Sequence, residues 1–280
     1  MKLIADSGST KTEWRIIRSN GQIQQAKTIG FNPFYQEPEA IVEEIKSNLL
    51  PSIHDPVQSI FFYGAGCSGK DQIKIVQNAF SEIFPEATIE VYTDILAAAR
   101  GLCNNESGIA CILGTGANSC LYDGEKILEN IQPLGFFLGD EGSGAYLGKK
   151  FIAAYLRNEL PPLIMEKANL RYQLKREDVL QKIHKGSFPN RYLASFTKFL
   201  FDHRKDTSIY TILYEAFDLF FEKNVMKYEN HSQYKVHFVG GVAYYFGDIL
   251  RQVASDKKVT VRNILENPIA GLTLFHQENG

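Results

Sequence analysis

Two short polar turns, each between two apolar runs, contain residues suited to binding a phosphate group. The first is Asp6-Ser7-Gly8-Ser9-Thr10-Lys11-Thr12, between Leu3-Ile4-Ala5 and Trp14-Arg15-Ile16-Ile17. Glycine and small serines let backbone N–H groups approach an anion, while Thr10 and Lys11 add a hydroxyl and a cation. Asp6 ends the first predicted strand, where a carboxylate can hold Mg²⁺ through the water shell of the ion. The same residues are also ordinary hairpin chemistry, so this turn alone does not decide between the two interpretations.

A second unit of the same design makes the phosphate interpretation stronger. An apolar run, Gly108 to Leu113, precedes the turn Gly114-Thr115-Gly116-Ala117-Asn118-Ser119, and Cys120-Leu121-Tyr122 follows it. Hairpin signals close both units, Asn20-Gly21 in the first and Asp123-Gly124 in the second. The repeat predicts two related halves with a nucleotide between them. The candidate phosphate contacts are Gly8, Ser9, Thr10, Lys11, Gly114, Thr115 and Gly116.

Two acidic sites precede predicted helices. Thr93-Asp94 follows a predicted strand over 88–92, and ligands bind at the carboxyl ends of strands in open α/β sheets. Asp94 as a plain helix N-cap is the alternative. Asp140-Glu141 lies among glycines just before a predicted helix over 145–156. A capping box is the alternative there, but the flanking glycines exceed what a cap needs, which favours a binding site.

Three further loops carry candidate ligand contacts. Asn32 is either a turn former or the donor of an amide to a polar ligand, and the turn is favoured by sequence alone. Ser68 either caps a helix over 70–84 or touches a substrate hydroxyl, and capping is favoured. The glycines of Gly240-Gly241-Val242 let backbone lie flat against a planar ligand such as adenine.

Apolar periodicity predicts an alternating α/β protein of two lobes. An amphipathic helix is expected over 37–50, stopped by Pro51, and strands over 59–63, 235–239 and 259–261. We expect an N-terminal lobe over 1–105, with a C-terminal helix over 268–280 packing back on it. The other lobe covers 106–267 and includes a helical insertion over about 158–233.

Composition excludes several classes of partner. The chain has 280 residues, 44% of them hydrophobic, and a net charge of −2, without the basic excess that nucleic acid or an anionic membrane requires. No apolar run has the length of a membrane span, and the N-terminus does not resemble a signal peptide, so a cytoplasmic protein is expected. The four cysteines lack the spacing of a metal site, so neither zinc nor an iron–sulfur cluster is expected.

Together, these motifs resemble the BadF/BadG-type ATPases and N-acetylglucosamine kinases of the sugar kinase, Hsp70 and actin superfamily. The run 6–12 is similar to the phosphate-1 motif of that superfamily, 114–119 to phosphate-2 and 240–243 to the adenosine motif. Gly271 lies where the superfamily has a small-residue connecting helix. The resemblance covers most of the chain and implies two ribonuclease H-like lobes with a nucleotide cleft between them.

Within the superfamily the amino-sugar kinase pattern fits best. The resemblance implies that Asn32, Ser68, Asp94 and Asp140 hold sugar hydroxyls, with the backbone of Leu134 and Gly135 near the acetamido group. It makes Asp94 the catalytic base, ATP the co-substrate with Mg²⁺ held by Asp6 through water, and a homodimer the expected assembly. The implied reaction is phosphorylation of the 6-hydroxyl of N-acetylglucosamine or N-acetylmuramic acid.

The sequence departs from the pattern at three small residues. Ser7 and Ser9 stand where many relatives have glycine, and Ala117 stands where several have serine. The cysteine-rich zinc motif of ROK-type sugar kinases is absent, which disfavours that branch. Two alternatives remain: an ATPase activator of 2-hydroxyacyl-CoA dehydratases, and a non-catalytic sensor of nucleotide and sugar.

Overall fold

Each polar turn adjoins a five-stranded sheet, and the two sheets belong to separate units of the chain. The computed structural model describes residues 1–8, 10–33 and 36–279. Unit 1 comprises residues 1–106, 124–126 and 267–280, and unit 2 comprises residues 107–123 and 127–266. Ser9, a predicted phosphate contact, lies outside the described residues.

The sheet of unit 1 combines a hairpin meander with parallel strands. Its strands are β1 (Lys2–Ser7), β2 (Lys11–Ile17), β3 (Ile23–Ile29), β4 (Ser59–Gly64) and β5 (Thr88–Thr93), in the order β3-β2-β1-β4-β5. The β1, β2 and β3 neighbours are antiparallel, whereas β1, β4 and β5 run parallel. The carboxyl ends of these three parallel strands therefore lie at one edge of the sheet.

The sheet of unit 2 repeats this topology. Its strands are β6 (Gly108–Leu113), β7 (Ala117–Tyr122), β8 (Ile127–Ile131), β9 (Val236–Val239) and β10 (Val261–Leu265), in the order β10-β9-β6-β7-β8. Its first three strands are also an antiparallel meander, with β9 and β10 parallel to β6. The two turns that are similar in sequence thus occupy equivalent places in two sheets of the same strand order.

Helices cover both faces of the unit 1 sheet. They are α1 (Pro38–Glu44), α2 (Lys70–Ile83), α3 (Asp94–Cys103) and, from the end of the chain, α13 (Ile269–Glu278). One face is packed around Trp14, Phe62 and Phe80, and the other around Ile4 and Tyr63. Alternate residues of β1 serve the two faces, as the period of a strand requires.

Two glycines bring α3 and α13 into backbone contact in unit 1. A Cβ atom added at Gly271 would lie 1.9 Å from the carbonyl oxygen of Gly101. A Cβ atom at Gly101 would lie 2.7 Å from the carbonyl oxygen of Pro268. Because α3 begins at Asp94, this crossing fixes the helix that carries the predicted base.

The helices of unit 2 surround one large core. They are α4 (Gly135–Leu138), α5 (Gly144–Leu156), α6 (Pro162–Tyr172), α7 (Arg176–Lys185), α8 (Pro189–Ala194), α9 (Thr197–Asp202), α10 (Thr207–Lys223), α11 (Gly241–Tyr245) and α12 (Gly247–Asp256). Helix α10 places Leu213, Phe217 and Phe220 in that core. Many of the aromatic residues between α5 and β9 therefore pack in the interior.

Several predicted element boundaries are wrong. The helix expected over 37–50 ends as α1 at Glu44 and continues as a π-helical segment, Ile45–Leu49. Pro51 lies inside a 3₁₀ turn, Leu50–Ser52, rather than after the helix, because a proline near the start of a turn removes no N–H that the turn needs. The turn expected over 114–119 is only three residues long, since Ala117 pairs with Leu113 in the β6–β7 ladder.

The strand expected over 259–261 instead begins at Val261. Lys258 has a positive φ of 59°, and the N–H of Val259 donates to the carbonyl oxygen of Ala254 at 2.8 Å. The chain thus closes helix α12 before it can join the sheet.

Among the described residues, no helix combines the length and the apolar character needed to cross a bilayer.

Candidate functional site

The carboxyl ends of β1, β4 and β5 bring several predicted residues to one edge of the unit 1 sheet. The register aligns Ser7 with Gly64 and Gly64 with Thr93. Asp6 precedes Ser7 in β1, and Asp94 directly follows Thr93. The two predicted acids are therefore at the same edge, Asp6 in β1 and Asp94 directly after β5, with β4 between these strands.

Asp94 is not the N-cap of α3, so the capping interpretation is wrong. Thr93 is the N-cap, and its hydroxyl oxygen accepts from the N–H of Leu96 at 3.4 Å. Burial raises the pKa of Asp94 to about 6, although backbone N–H groups of Ile95 and Asp94 oppose the shift. A carboxylate that titrates near 6 is ionised at neutral pH yet basic enough to accept a proton. The threonine before the acid was the sequence signal for the true cap.

Asp6 lies near two other carboxylates, those of Asp94 and Glu13. Burial raises the pKa of Asp6 to about 7, with Asp94 and then Glu13 adding to the rise and Lys11 opposing it. A divalent cation relieves such a cluster, and Mg²⁺ prefers few carboxylates and several waters, so Asp6 fits the role of an outer ligand. No group of three or more metal-binding side chains occurs among the residues that the structure describes.

Ser7 attaches the loop that carries Asn32 to the end of β1. Its fully buried hydroxyl contacts Thr12 Oγ1 at 2.7 Å and accepts from the N–H of Phe31 at 2.9 Å. Thr12 in turn donates to the carbonyl oxygen of Ile29 at 2.8 Å. Asn32 follows Phe31 and is half-buried. Sequence reasoning treated Ser7 as a small residue of the phosphate turn, where many relatives have glycine, and missed this anchoring role.

Ser68 is exposed, and the expectation that it caps α2 is wrong. The N-cap of α2 is Gly69, which offers no side chain for the purpose. The Ser68 hydroxyl is therefore left out of the helix cap, at the same sheet edge as Asp94. The structure is thus compatible with the second interpretation of Ser68, contact with a substrate hydroxyl.

The phosphate-1 turn presents exposed residues at the tip of the β1–β2 hairpin. The N–H of Gly8 donates to the carbonyl oxygen of Lys11 at 3.0 Å, and Gly30 N–H donates to the carbonyl oxygen of Thr10 at 3.0 Å. Gly8, Thr10 and Lys11 are all exposed. The Lys11 ammonium lies 2.7 Å from Glu13 Oε1.

The phosphate-2 turn of unit 2 packs against the start of helix α5. The carbonyl oxygens of Gly114 and Thr115 accept from the N–H groups of Gly144 and Ala145 at 2.8 and 3.1 Å. Ser143 caps α5, with its hydroxyl accepting from the N–H of Tyr146 at 3.1 Å. The first N–H groups of α5 thus hold the turn in place.

Asp140 lies against the same turn. A Cβ atom added at Gly116 would be 3.1 Å from Asp140 Oδ2, so glycine makes room for the carboxylate. Burial raises the pKa of Asp140 to about 6, a rise that the N–H of Ala117 opposes by donating to the carboxylate. Asp140 has a positive φ of 60° and does not cap α5, so the capping box is wrong. The structure brings this predicted sugar contact next to a predicted phosphate turn.

The predicted adenosine motif adjoins the phosphate-2 turn as well. Gly240 has φ 118°, and a Cβ atom there would lie 2.3 Å from the carbonyl oxygen of Leu113. A Cβ atom at Gly241 would meet nothing within 4 Å, so open space lies over its backbone. Val242 is buried. Turn 114–116 and Gly240 therefore form one continuous backbone surface within unit 2.

Two exposed tyrosines follow this surface and were missed by sequence reasoning. Tyr244 and Tyr245 are each 51% exposed, and their rings meet edge to face at 5.4 Å. They follow Gly241 by three and four positions in α11, so they share its side of the helix. The pair Tyr244-Tyr245 shortly after the pair Gly240-Gly241 was the available sequence signal.

Leu134 and Gly135 begin an exposed apolar segment before Asp140. Leu134 is the N-cap of α4, Gly135 has φ 71°, and Phe137 and Leu138 of that helix are exposed. Lys149 of α5 donates to the carbonyl oxygen of Phe136 at 3.0 Å and so attaches this segment to the core helix.

The four cysteines are buried thiols. Cys111 and Cys120 lie in β6 and β7, Cys103 ends α3, and Cys67 lies in the loop after β4. Burial raises the pKa of Cys67 to about 12, with Asp94 adding to the rise, so this thiol stays protonated.

Comparison with known proteins identifies the fold. No family model matches the sequence, and no curated protein matches it. Among solved structures, a protein from Porphyromonas gingivalis described as a "Putative N-acetylglucosamine Kinase" superposes with a TM-score of 0.94 at 39% identity, covering 100% of this chain and 99% of its own. A protein of the same description from Chromobacterium violaceum has a TM-score of 0.68 at 16% identity, covering 98% of both chains.

A ROK family glucokinase from Streptomyces griseus, solved with glucose and AMPPNP, has a TM-score of 0.59 at 16% identity, covering 99% of this chain and 98% of its own. The last two likenesses show the fold, that of sugar kinases and actin-like ATPases, with two α/β lobes, as predicted. The identity to the Porphyromonas gingivalis protein extends over the whole of both chains. The chain therefore belongs to the N-acetylglucosamine kinase-like family of sugar kinases.

Proposed function

We propose that the protein is an ATP-dependent kinase that transfers the γ-phosphoryl group to the 6-hydroxyl of an N-acetylated amino sugar. N-acetylglucosamine is the first candidate and N-acetylmuramic acid the second. The observation that carries the proposal is Asp94: a carboxylate at the carboxyl end of a parallel strand, not used as a cap, with its pKa raised to about 6 by burial. The full-length similarity to the Porphyromonas gingivalis protein supports the same reaction class.

In the proposed reaction the oxygen of the sugar hydroxyl attacks the γ-phosphorus, and the bond from that phosphorus to the β–γ bridging oxygen breaks. The proton of the hydroxyl passes to Asp94, and ADP leaves. Such a transfer needs mainly positioning and stabilisation of charge. Bound Mg²⁺ would neutralise charge on the phosphates, with Asp6 as its protein partner through water.

The remaining residues bind and orient the substrates. Gly8, Thr10, Lys11 and the turn 114–116 hold the phosphates, and Gly240, Gly241 and Val242 border the adenosine. Asn32, Ser68 and Asp140 hold sugar hydroxyls, and the backbone of Leu134 and Gly135 receives the acetamido group. Ser9 is the remaining phosphate contact that the sequence predicts. A homodimer in the cytoplasm is the proposed state, by the resemblance to the family.

The test is ADP release from MgATP with a panel of sugars: N-acetylglucosamine, N-acetylmuramic acid, glucosamine, glucose and none. We expect strong stimulation by one N-acetylated sugar, with phosphate on O6. Slow ADP release that no sugar changes would overturn the kinase proposal and favour an activator ATPase. Binding of nucleotide and sugar without ADP release would favour a sensor.

A further inference from the structure

Glu13 is a buried carboxylate beside the phosphate-1 turn that the proposed reaction does not use. It lies directly across the β1–β2 ladder from Asp6, and across the β2–β3 ladder from Lys27. Residues directly opposite each other in a ladder point to the same face, so the three side chains form a row on that face. The Glu13 side chain is only 9% exposed.

A buried carboxylate is costly to keep unless partners compensate it. The Lys11 ammonium lies 2.7 Å from Glu13 Oε1, and the Lys27 ammonium lies 3.9 Å from the same oxygen. The short contact is therefore to Lys11, whose side chain remains 53% exposed. The ammonium group of Lys11 is thus held by Glu13, two residues along the same strand, while about half of the Lys11 side chain stays open to solvent.

The ion pair between Lys11 and Glu13 favours binding when the ammonium group of Lys11 contacts an anion. A lysine side chain is a flexible four-carbon stem, and holding it in the bound position beforehand removes an entropy cost of binding. Glu13 itself repels phosphate, so it favours binding only through the position that it gives to Lys11. The two effects have opposite signs, which makes the role testable.

We propose that Glu13 is a positioning residue for nucleotide: it holds the Lys11 ammonium at the hairpin tip, ready to meet the β- and γ-phosphates. The inference rests on the proposed nucleotide site, but it does not depend on which sugar is phosphorylated or on turnover. Lys11 makes the contact with nucleotide, and Glu13 acts through it.

The experiment is a double-mutant cycle read by the Kd of MgATP in calorimetry. Glu13→Gln, which keeps the shape of the side chain, is expected to raise the Kd by roughly 3- to 10-fold, the scale of one immobilised side chain. In a Lys11→Met background the same change is expected to have less than about twofold effect, because contacting residues that act through one another are not additive. The Kd of AMP, which lacks the β- and γ-phosphates, is expected to stay within about twofold throughout.

Lys27→Gln is the matched control, since it removes a cation near the same carboxylate without touching Lys11. We expect it to change the Kd of MgATP by less than about twofold. An unchanged or tighter Kd in Glu13→Gln would overturn the inference, because it would leave only repulsion between Glu13 and phosphate. An equal loss in both Lys11 backgrounds would overturn it too, since Glu13 would then support the strand and not the lysine.

Two measurements, MgATP binding and sugar phosphorylation by the wild type, distinguish failure of the proposed function from failure of this inference. A wild-type protein that binds MgATP but phosphorylates no sugar leaves the cycle fully readable, so only the kinase proposal falls. A wild-type protein with no MgATP binding in calorimetry overturns both proposals.

Discussion

At the scale of single residues, environment gives three aspartates on the two units different properties. Burial raises the pKa of Asp6 to about 7, that of Asp94 to about 6 and that of Asp140 to about 6. Asp94 lies at a helix start with a separate cap, Asp6 lies near other carboxylates, and Asp140 lies against a glycine turn. Only Asp94 combines raised basicity with the position that the proposed reaction requires.

Asp94→Asn is expected to lower turnover by roughly 10²–10⁴-fold, because the amide cannot accept the proton of the attacking hydroxyl. The Kd of MgATP is expected to stay near that of the wild type. Asp71→Asn is the matched control, since Asp71 is an exposed aspartate in the first turn of α2. Steady-state kinetics with the preferred sugar checks this, and near-normal turnover would remove Asp94 from the role of base.

The pH dependence of turnover follows from the same residue. The base must be ionised, and burial raises the pKa of Asp94 to about 6, so kcat/KM should fall as pH drops through about 6. An unperturbed aspartate would instead keep activity down to about pH 4. A pH–rate profile between pH 5 and 8 distinguishes the two, and a flat profile across that range would contradict the assignment.

The ionisation of Asp140, a predicted sugar contact, affects the stability of the folded state. Its pKa in the folded state is raised to about 6 by burial, so the protonated form is favoured by folding. The associated stability is fully present below the unfolded pKa near 3.8 and is lost as pH rises through about 6. Asp140→Asn removes the charge. The melting temperature of this variant relative to that of the wild type should therefore increase from pH 5 to pH 8.

Thermal melts at both pH values check this, with Asp178→Asn, at an exposed site on α7, as the control with no pH-dependent gain. A gain for Asp140→Asn that is equal at both pH values would contradict the buried-charge explanation.

At the scale of elements, α3 is held by its neighbours as well as by its own cap. It crosses α13 at the pair Gly101 and Gly271. Arg100 donates to the hydroxyl of Tyr63 at 2.8 Å, and the same hydroxyl contacts His276 Nε2 at 2.9 Å. Burial lowers the pKa of His276 to about 4, with Arg100 adding to the effect, so the imidazole is neutral at pH 7 and can accept from Tyr63. These contacts join β4 and α13 to α3, the helix that begins at Asp94.

Gly271→Ala tests the helix crossing. The added Cβ atom would lie 1.9 Å from the carbonyl oxygen of Gly101, so the helices must separate. We expect a loss of about 1–3 kcal/mol in the free energy of unfolding, the usual cost of overpacking. Ala270→Ser, at the exposed neighbouring position, should stay within about 0.5 kcal/mol of the wild type. Denaturant titrations measure both, and equal stabilities would show that the crossing relaxes freely.

At the scale of the whole molecule, two sheets of the same strand order each place a polar turn after their first strand. Unit 1 supplies the two carboxylates Asp6 and Asp94, and unit 2 supplies the turn 114–116, Asp140 and the glycine surface at 240–241. The proposed reaction draws on both sets.

Nucleotide binding is expected to stabilise the protein as a whole. MgATP at about 100 times its Kd should add about 2.7 kcal/mol to the stability of the binding state and raise the melting temperature. Removing Mg²⁺ with EDTA at constant ATP should diminish the rise and reduce sugar-stimulated ADP release to background, because the charges on the phosphates are then unbalanced. Thermal melts with ATP, MgATP and AMP test this, and a melting temperature that MgATP leaves unchanged would argue against the nucleotide site.

The sequence by itself determined the alternating α/β character, the repeated strand–turn–strand design and the presence of acids at strand ends. These features follow from local rules: apolar periodicity, glycine in turns and the carboxyl ends of parallel strands. For that reason β6 was predicted residue for residue, and the family resemblance was confirmed.

Only the tertiary structure decided which polar groups are already satisfied. Gly69 and not Ser68 is the N-cap of α2, and the first N–H groups of α5 bind the carbonyl oxygens of Gly114 and Thr115. Ser7 has partners in the neighbouring strand β2 and in the loop after β3, and Glu13 lies opposite Asp6 and Lys27 in its two neighbouring strands. Hydrogen bonds and burial of this kind depend on residues far apart in the chain, whereas local propensity reflects only neighbours. The chemical use of each carboxylate therefore becomes visible only in the folded structure.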